Sequence, residues 1–169
     1  MPSAYGTITE ANAYFATKLH TSIWDNSNNI DRQKALYQAT RIIDRLNFRG
    51  NKTTVYDILL ADEDAEDVDI RDAELSQELE FPRDGDTVIP LDIQIACFEI
   101  AFNLLDGVDP DIELENLGIE SVSYAGVKTG YYRNQEAVEH LTNGIPSATA
   151  WRYLLPFLRD SRSVKLTKI

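Results

Sequence analysis

Residues 89–107, with the sequence IPLDIQIACFEIAFNLLDG, are the stretch that decides the fold. Pro90 suits the first position of a helix, which needs no backbone donor, and Asp92 suits the first turn, where the helix dipole favours a negative charge. Gly107 is typical of a helix end. Between these signals, apolar residues recur at helical spacing, which predicts a buried core helix. The apolar positions are Ile93, Ala96, Cys97, Ile100, Ala101, Leu104 and Leu105.

Three further segments with helical spacing lie before and after this helix. Thr7 and Glu10 have the spacing of a capping box, with Thr9 as a competing N-cap, and a helix is predicted from there to about Lys18. Other patterns predict a helix over about 30–46 and one from about residue 146, with a kink or early end at Pro156, because proline has no backbone N–H. The four segments predict a mainly α fold, a small four-helix bundle. The expected core consists of Leu36, Ile42, Ile43, Ile93, Ala96, Ile100, Leu104, Trp151 and Leu155.

The connections between these helices carry less regular patterns. Residues 24–29 are polar and typical of a turn, and residues 53–56, with the sequence TTVY, favour a β-strand. Residues 61–74 fit either an exposed loop or a surface helix. Residues 117–132 alternate with a period of two, which predicts an extended β-like arm or hairpin. Because an isolated hairpin is marginally stable in water, this arm should seek further pairing or packing.

The composition is that of an ordinary globular domain with a large acidic excess. Hydrophobic residues make up 43% of the 169 residues, which argues against wholesale disorder. The net charge of −12 argues against binding nucleic acid through the whole surface, since such binding needs Lys and Arg to neutralise phosphates. The single cysteine, Cys97, excludes an internal disulfide. No stretch approaches the roughly 18–20 apolar residues of a membrane helix, so we expect no membrane contact.

The charge is distributed unevenly along the chain. Residues 57–80, the acidic insert, contain eleven acidic residues and one basic residue. Residues 159–169, the C-terminal tail, contain four basic residues and one acid, so we divide the chain into a helical domain, residues 1–158, and this basic tail. Such runs are usually solvated surfaces. The alternative interpretation is that acidic and basic faces meet different partners.

The chain carries no recognisable catalytic or metal-binding motif. A Gly-rich phosphate loop, CxxC, HExxH and GxSxG are all missing from the sequence. We expect His20 and His140 at the surface, and Cys97 as a packed thiol because it lies within the apolar stripe. Residues 62–69 could collect a divalent cation weakly, but they lack the glycine and the terminal Glu of a calcium loop. We therefore expect no enzyme, no catalytic residue, no cofactor and no metal site.

Two clusters interleave aromatic residues with arginine, as single-stranded DNA-binding proteins do. They are Tyr131-Tyr132-Arg133 and Trp151-Arg152-Tyr153. The favoured interpretation places Trp151 in the core and the two tyrosines in a strand, and the acidic insert would repel a nucleic acid. Binding of single-stranded DNA stays open as the alternative.

Five segments form an ordered set over most of the chain. They are residues 5–15 (YGTITEANAYF), 39–46 (ATRIIDRL), 79–83 (LEFPR), 89–101 and 150–158 (AWRYLLPFL). The set resembles a family of small tailed-phage proteins that serve as head–tail connectors, or adaptors. Some members of this family are labelled DnaT-like single-stranded DNA-binding proteins. Residues 61–74 and 108–116 look like additions to the family's pattern.

The resemblance implies a virion protein whose copies form a ring, typically twelvefold, beneath the phage portal protein. Such a ring extends the DNA channel and gives the tail, or the next connector protein, a platform. Genomic DNA would pass through without specific binding, because acidic surfaces repel phosphates. The subunit would be in the host cytoplasm during assembly and at the head–tail interface of the virion afterwards.

Two contact sites are expected from the resemblance and the charge pattern. The C-terminal tail should bind the portal protein through Arg159, Arg162, Val164, Lys165, Leu166, Lys168 and Ile169. The arm should contact a neighbouring subunit through Val122, Tyr124, Val127, Tyr131 and Tyr132. The alternative function is a DnaT-like, single-stranded DNA-binding accessory protein of replication.

Overall fold

The computed structural model describes residues 3–117, 121–124, 127–130 and 138–159. In this part of the chain the fold is mainly helical, as predicted. None of the described helices is both long enough and apolar enough to cross a membrane. The elements, in chain order, are α1 (Ile8–Phe15), α2 (Ser22–Asn26), α3 (Asn29–Ile43), α4 (Thr53–Ala61), α5 (Asp67–Ser76), α6 (Leu91–Leu105), α7 (Pro110–Leu117), β1 (Ser121–Tyr124), β2 (Val127–Gly130), α8 (Glu139–Thr142) and α9 (Ala148–Leu154).

Helix α6 is the central helix of the core. It packs against α3 and α9, and to a smaller extent against α2, while α1 packs against α3. Ile93 and all six residues from Ala96 to Ala101 are buried. A helix that is buried over most of its circumference has to be surrounded by other elements. The four segments that the sequence predicts as helices therefore build the core together.

The predicted core is confirmed except at one position. Leu155 is 45% exposed, whereas Leu154 is fully buried. Helix α9 ends at Leu154, and a tighter 3-10 turn, Leu155–Phe157, follows it. Pro156 lies in that turn, so the predicted early end is confirmed, and the change of helical pitch turns Leu155 away from the core. The other eight predicted residues are buried or packed against the core: Leu36, Ile42, Ile43, Ile93, Ala96, Ile100, Leu104 and Trp151.

The helix ends follow the sequence signals closely. The Thr7 hydroxyl accepts a hydrogen bond from the Glu10 N–H at 3.2 Å, and the Thr7 N–H donates to the Glu10 carboxylate at 2.7 Å. This is the predicted capping box. Gly107 follows the end of α6 with a φ of +80°, a conformation that favours glycine. Pro90 lies at the N-cap of α6, one position before its predicted place.

The predicted β-strand at residues 53–56 is wrong, because these residues form the first turn of α4. Val55 is buried, and the Thr54 hydroxyl donates to the Ala73 carbonyl at 2.7 Å. Packing against α5 therefore overrides the β-propensity of threonine and valine. Of the two alternatives for residues 61–74, the surface helix applies from Asp67 onward, where α5 begins.

The polar turn predicted at residues 24–29 is confined to Ser27 and Asn28, between α2 and α3, and the prediction is wrong for residues 24–26, which belong to α2. Trp24 lies in α2 and is only 1% exposed. Its indole N–H donates to the Asn12 side chain at 2.8 Å, and the Arg32 guanidinium lies over its ring at 5.3 Å. A large aromatic ring with a satisfied polar group can be buried even where most of its neighbours in sequence are polar.

The arm predicted at residues 117–132 is not supported over that range. Leu117 is the last residue of α7, an acidic helix that begins at Pro110. Proline at the first position and acidic residues in the first turn favour this helix. What the structure describes beyond it is a short antiparallel pairing of β1 with β2, with Ser121 opposite Gly130 and Tyr124 opposite Val127. The contact of this segment with a neighbouring subunit stays a prediction.

Candidate functional site

A short backbone pairing ties the last described residues to the body. The Arg49 N–H donates to the Phe157 carbonyl at 3.0 Å, and the Arg159 N–H donates to the Asn47 carbonyl at 2.9 Å. Between these bonds, Phe48 and Leu158 form an antiparallel bridge. We call residues 47–49 and 157–159 the tail junction, since the C-terminal tail starts here.

Arg83 holds the first segment of the tail junction in place. Its guanidinium donates to the Arg49 carbonyl at 3.0 Å, to the Gly50 carbonyl at 2.7 Å and to the Glu80 carboxylate at 2.6 Å. The other Glu80 oxygen lies 3.3 Å from the Lys52 ammonium. The rigid donor fork of arginine suits this arrangement, because it fixes several acceptors relative to one another.

Tyr5 connects the N-terminus and α3 to the same region. Its hydroxyl donates to the Asp44 carboxylate and accepts a hydrogen bond from the Glu80 N–H at 3.1 Å. Burial raises the pKa of Tyr5 far above its ordinary value, and burial also raises the pKa of Asp44. Tyr5 therefore stays a neutral hydrogen-bond donor, and its hydroxyl links the end of α3 to the backbone at Glu80.

Phe81 is the apolar centre of the region. The ring is 3% exposed, and its centroid lies 4.7 Å from that of Phe48, 5.6 Å from that of Phe157 and 6.1 Å from that of Tyr5, all in edge-to-face geometry. Four of the five segments with the family resemblance therefore meet around Phe81. Tyr5, Phe81 and Phe157 belong to three of them, and Asp44, which is hydrogen-bonded to Tyr5, belongs to the fourth. The sequence contains no signal that these segments would converge beside the tail.

Candidate metal ligands and reactive groups were located among the described residues. No group of three or more His, Cys, Asp or Glu residues within them is placed to hold a metal ion. His20 is exposed and His140 is half-buried. Cys97 is fully buried, as expected, and burial raises the pKa of its thiol to about 12, so that the reactive thiolate is disfavoured.

Glu99 is a buried charge that the sequence interpretation missed. Glu99 is 2% exposed, and its carboxylate forms an ion pair with Lys18. The Tyr14 hydroxyl donates a hydrogen bond to the same carboxylate at 2.5 Å. A glutamate between Phe98 and Ile100 in an apolar run is the signal that could have revealed it, because a buried carboxylate needs partners. The cluster joins the end of α1 to α6.

The structure places only some of the predicted contact residues. Arg159 is half-buried at the tail junction and lines two cavities, of about 440 Å³ and about 300 Å³. Val122 and Tyr124 belong to β1, and Val127 belongs to β2. The remaining predicted residues lie outside the described part of the chain: Tyr131, Tyr132, Arg162, Val164, Lys165, Leu166, Lys168 and Ile169.

In the aromatic cluster at residues 151–153, the tryptophan is not exposed to solvent. Trp151 is 8% exposed and packs in the core, as the favoured interpretation expects. Its indole N–H is buried and has no hydrogen-bond partner among the described residues. Base stacking needs an open ring face, which this tryptophan lacks. The second cluster, Tyr131-Tyr132-Arg133, lies outside the described residues.

Most of the acidic insert forms a separate two-helix unit, which we call the α4–α5 lobe (residues 53–76). The two helices pack mainly against each other. The Lys52 ammonium, just before α4, donates a hydrogen bond to the Gln77 carbonyl, just after α5, at 3.1 Å and so connects the two ends of the lobe. Leu60, Val68 and Leu75 are 73%, 53% and 75% exposed. Large exposed apolar side chains on one small unit mark a candidate interaction surface.

Comparisons of the chain with protein-family models, with curated proteins and with solved structures found no match. The functional interpretation therefore depends on the contacts and charges of this chain, together with the resemblance of its five segments. Two regions stand out on that basis, the tail junction and the α4–α5 lobe.

Proposed function

We propose that this protein is a head–tail connector subunit of a tailed phage, a structural virion protein without enzymatic activity. In this proposal, copies form a ring, typically twelvefold, beneath the portal protein. The ring extends the DNA channel and offers a platform to the tail or to the next connector protein. The subunit is in the host cytoplasm during assembly and at the head–tail interface of the virion afterwards, with no cofactor and no membrane contact.

The tail junction is the observation that carries this proposal. Two backbone hydrogen bonds and the Arg83 guanidinium fix the place where the C-terminal tail leaves the body. A tail that docks onto a partner loses less conformational freedom when its first residue is already positioned. Four of the five segments with the family resemblance lie around this point, as they would if the family shared one way of presenting the tail.

The charge distribution supports the same role. The acidic insert carries eleven acids and one base, whereas the C-terminal tail carries four basic residues and one acid. An acidic body repels the phosphates of DNA that passes through a channel. A basic tail with apolar residues suits an acidic, partly apolar groove on the portal, and many weak tails on one ring would bind with high avidity.

Truncation after Arg159 tests the proposal. This variant keeps both hydrogen bonds of the tail junction, so it should fold with an unchanged circular dichroism spectrum. Electron microscopy of portal-containing heads should then show no added connector ring. A full-length variant with Arg162, Lys165 and Lys168 changed to Gln separates the role of charge from that of the apolar tail residues. Normal incorporation of the truncated protein would contradict the proposal.

A gel shift separates this proposal from the DNA-binding alternative. We expect no binding of single-stranded DNA at physiological salt, because the net charge is −12. The matched variants are Tyr131→Ala and Tyr132→Ala. Micromolar, salt-sensitive binding that these variants abolish would favour the replication accessory protein instead.

A further inference from the structure

The larger of the two cavities that Arg159 lines, of about 440 Å³, has an apolar part. Its volume falls within the range of about 300–1,000 Å³ that is usual for ligand pockets. Leu155 is 45% exposed, so a large apolar side chain meets solvent in this cavity. We call it the tail-side cavity. The apolar residues that line it are Leu46, Trp151, Leu155 and Leu158.

The polar lining of the tail-side cavity is balanced in charge. Among the described residues it consists of Glu139, Arg159 and the amides of Asn47 and Asn143. Neither Glu139 nor Arg159 forms an ion pair with a residue that the structure describes. Because one acid faces one base, charge does not select an occupant for this cavity.

Trp151 brings a buried donor without an acceptor to the cavity. The residue is 8% exposed, and its indole N–H has no hydrogen-bond partner among the described residues. The other tryptophan, Trp24, donates its indole N–H to the Asn12 side chain at 2.8 Å. A buried polar group without a partner is destabilising, so an acceptor from outside the described residues would stabilise the protein.

The chain beyond Arg159 starts at this cavity. Residues 157–159 run antiparallel to residues 47–49, and the Arg159 N–H is bonded to the Asn47 carbonyl. The same direction leads onward to Leu46, which lines the cavity. Ten residues follow Arg159 in the sequence, and they can span up to about 35 Å when fully extended. The tail is therefore long enough to cross the cavity.

We infer that the tail-side cavity is the docking site of the protein's own C-terminal tail. Val164 and Leu166 would cover Leu155 and Trp151, because residues two apart lie on the same side of an extended segment. A backbone carbonyl of that segment would accept the Trp151 indole N–H. Since the tail is tethered at Arg159, its effective concentration at the cavity is high, and weak contacts are sufficient.

This inference goes beyond the proposed function, because it concerns the subunit before any partner binds. A docked tail is not available to another protein. A partner of the tail, such as the portal in the proposed function, would have to compete with the cavity, and its apparent affinity would fall with the fraction of free tails. The docking itself requires no second chain.

The indole N–H signals in nuclear magnetic resonance spectra test the docking, since the chain has two tryptophans. Truncation after Arg159 keeps the bonds of the tail junction but removes the proposed acceptor. The truncated protein should show a shifted Trp151 signal, with faster exchange of this proton with solvent than in the full chain. The Trp24 signal should stay in place, because its acceptor, Asn12, belongs to α1. An unchanged Trp151 signal would overturn the inference.

Substitutions in the full-length chain identify the part of the tail that docks. Val164→Ser with Leu166→Ser should shift the Trp151 signal as truncation does, because the apolar contacts are lost. Lys165→Ser with Thr167→Ser is the matched control. These side chains lie on the other side of an extended segment, so the Trp151 signal should match that of the wild type. Equal shifts in the two variants would contradict the proposed contact.

Cross-linking separates the protein's own tail from that of a second copy. Leu155→Cys combined with Leu166→Cys should form a disulfide within one chain under mild oxidation, seen as a faster-migrating band without reductant. Leu60→Cys with Leu166→Cys is the control and should not cross-link within the chain, since Leu60 is exposed on α4, outside the cavity. The native Cys97 is buried and should not take part.

Each outcome of the cross-linking decides one proposal. A disulfide between two chains would assign the cavity to the tail of a second copy, and it would overturn the inference. Absence of any disulfide in the Leu155→Cys variant would overturn it as well. A disulfide within one chain, in a protein whose wild type never joins portal-containing heads, would refute the connector function and keep this inference.

Discussion

Helix α6 and helix α5 lie in the same chain but have opposite surroundings. Helix α6 has seven buried residues, whereas α5 has one, Ala73. The charge of α6 at Glu99 is enclosed by Tyr14 and Lys18, whereas the ion pair of α5, between Arg71 and Asp72, is about two-thirds exposed at both ends. The comparison teaches that burial in the helical core contributes far more to the stability of the protein than the exposed α4–α5 lobe does.

The largest expected loss of stability comes from shortening a fully buried core side chain. Ile100→Ala should lower the free energy of unfolding by about 2–5 kcal/mol, because it leaves a cavity where the side chain is fully buried. Leu75→Ala in α5 is the matched control, and it should cost less than about 0.5 kcal/mol, since that residue is exposed. Chemical denaturation measures both, and equal losses would remove the contrast between core and lobe.

An intermediate loss of stability is expected when the buried Glu99 carboxylate loses its ion-pair partner. Lys18→Met leaves the Glu99 carboxylate buried with Tyr14 as its remaining partner, and should lower the stability by about 1–3 kcal/mol. Arg71→Met breaks the exposed ion pair of α5 and should change the stability by no more than about 0.5 kcal/mol. If Lys18→Met proved as mild as Arg71→Met, the carboxylate would not need its ammonium partner.

The smallest of the three effects concerns the helix starts. Thr7→Ala removes the capping box of α1 and should cost about 1 kcal/mol. The N-cap of α5, Glu66, makes no side-chain capping bond, so Glu66→Ala should cost about half as much or less. Thermal denaturation of the two variants compares them.

The loss caused by Thr7→Ala should depend on pH. Hydrogen bonds from Thr7 lower the pKa of Glu10 below its ordinary value. Their stabilisation is therefore present above the ordinary pKa of glutamate and is lost as the pH falls through the lowered value. The difference between the wild type and Thr7→Ala should shrink as the solution is acidified, and a difference that grew would contradict the role of this carboxylate.

The regular parts of the core were predictable from local patterns. The apolar period of residues 89–107 identifies the central helix, and the spacing of Thr7 and Glu10 identifies the capping box that the structure contains. The position of Cys97 within the apolar stripe was enough to predict a packed thiol. Hydrophobic period and capping act over a few residues, so that neighbours in sequence contain the whole signal.

Where packing competes with local preference, the sequence patterns were misleading. The TTVY residues at 53–56 favour a strand, but they form the first turn of α4, which packs against α5 and is bonded to it through the Thr54 hydroxyl and the Ala73 carbonyl. Leu155 continues the apolar stripe of α9, but it begins the 3-10 turn that contains Pro156, and its side chain is exposed to solvent. Trp24 lies in a mostly polar stretch and is nevertheless buried. In each case a contact with a distant segment, or a change of helix geometry, determines the outcome.

The sequence by itself determined the four core helices, their caps and the segregation of acidic insert from basic tail, since period, capping and charge are local properties. Only the tertiary structure decided what these pieces form together. Glu80 reaches Tyr5 across 75 residues of sequence, and the tail junction pairs residues 47–49 with residues 157–159. Such contacts depend on how complete helices pack, which no short window of sequence contains.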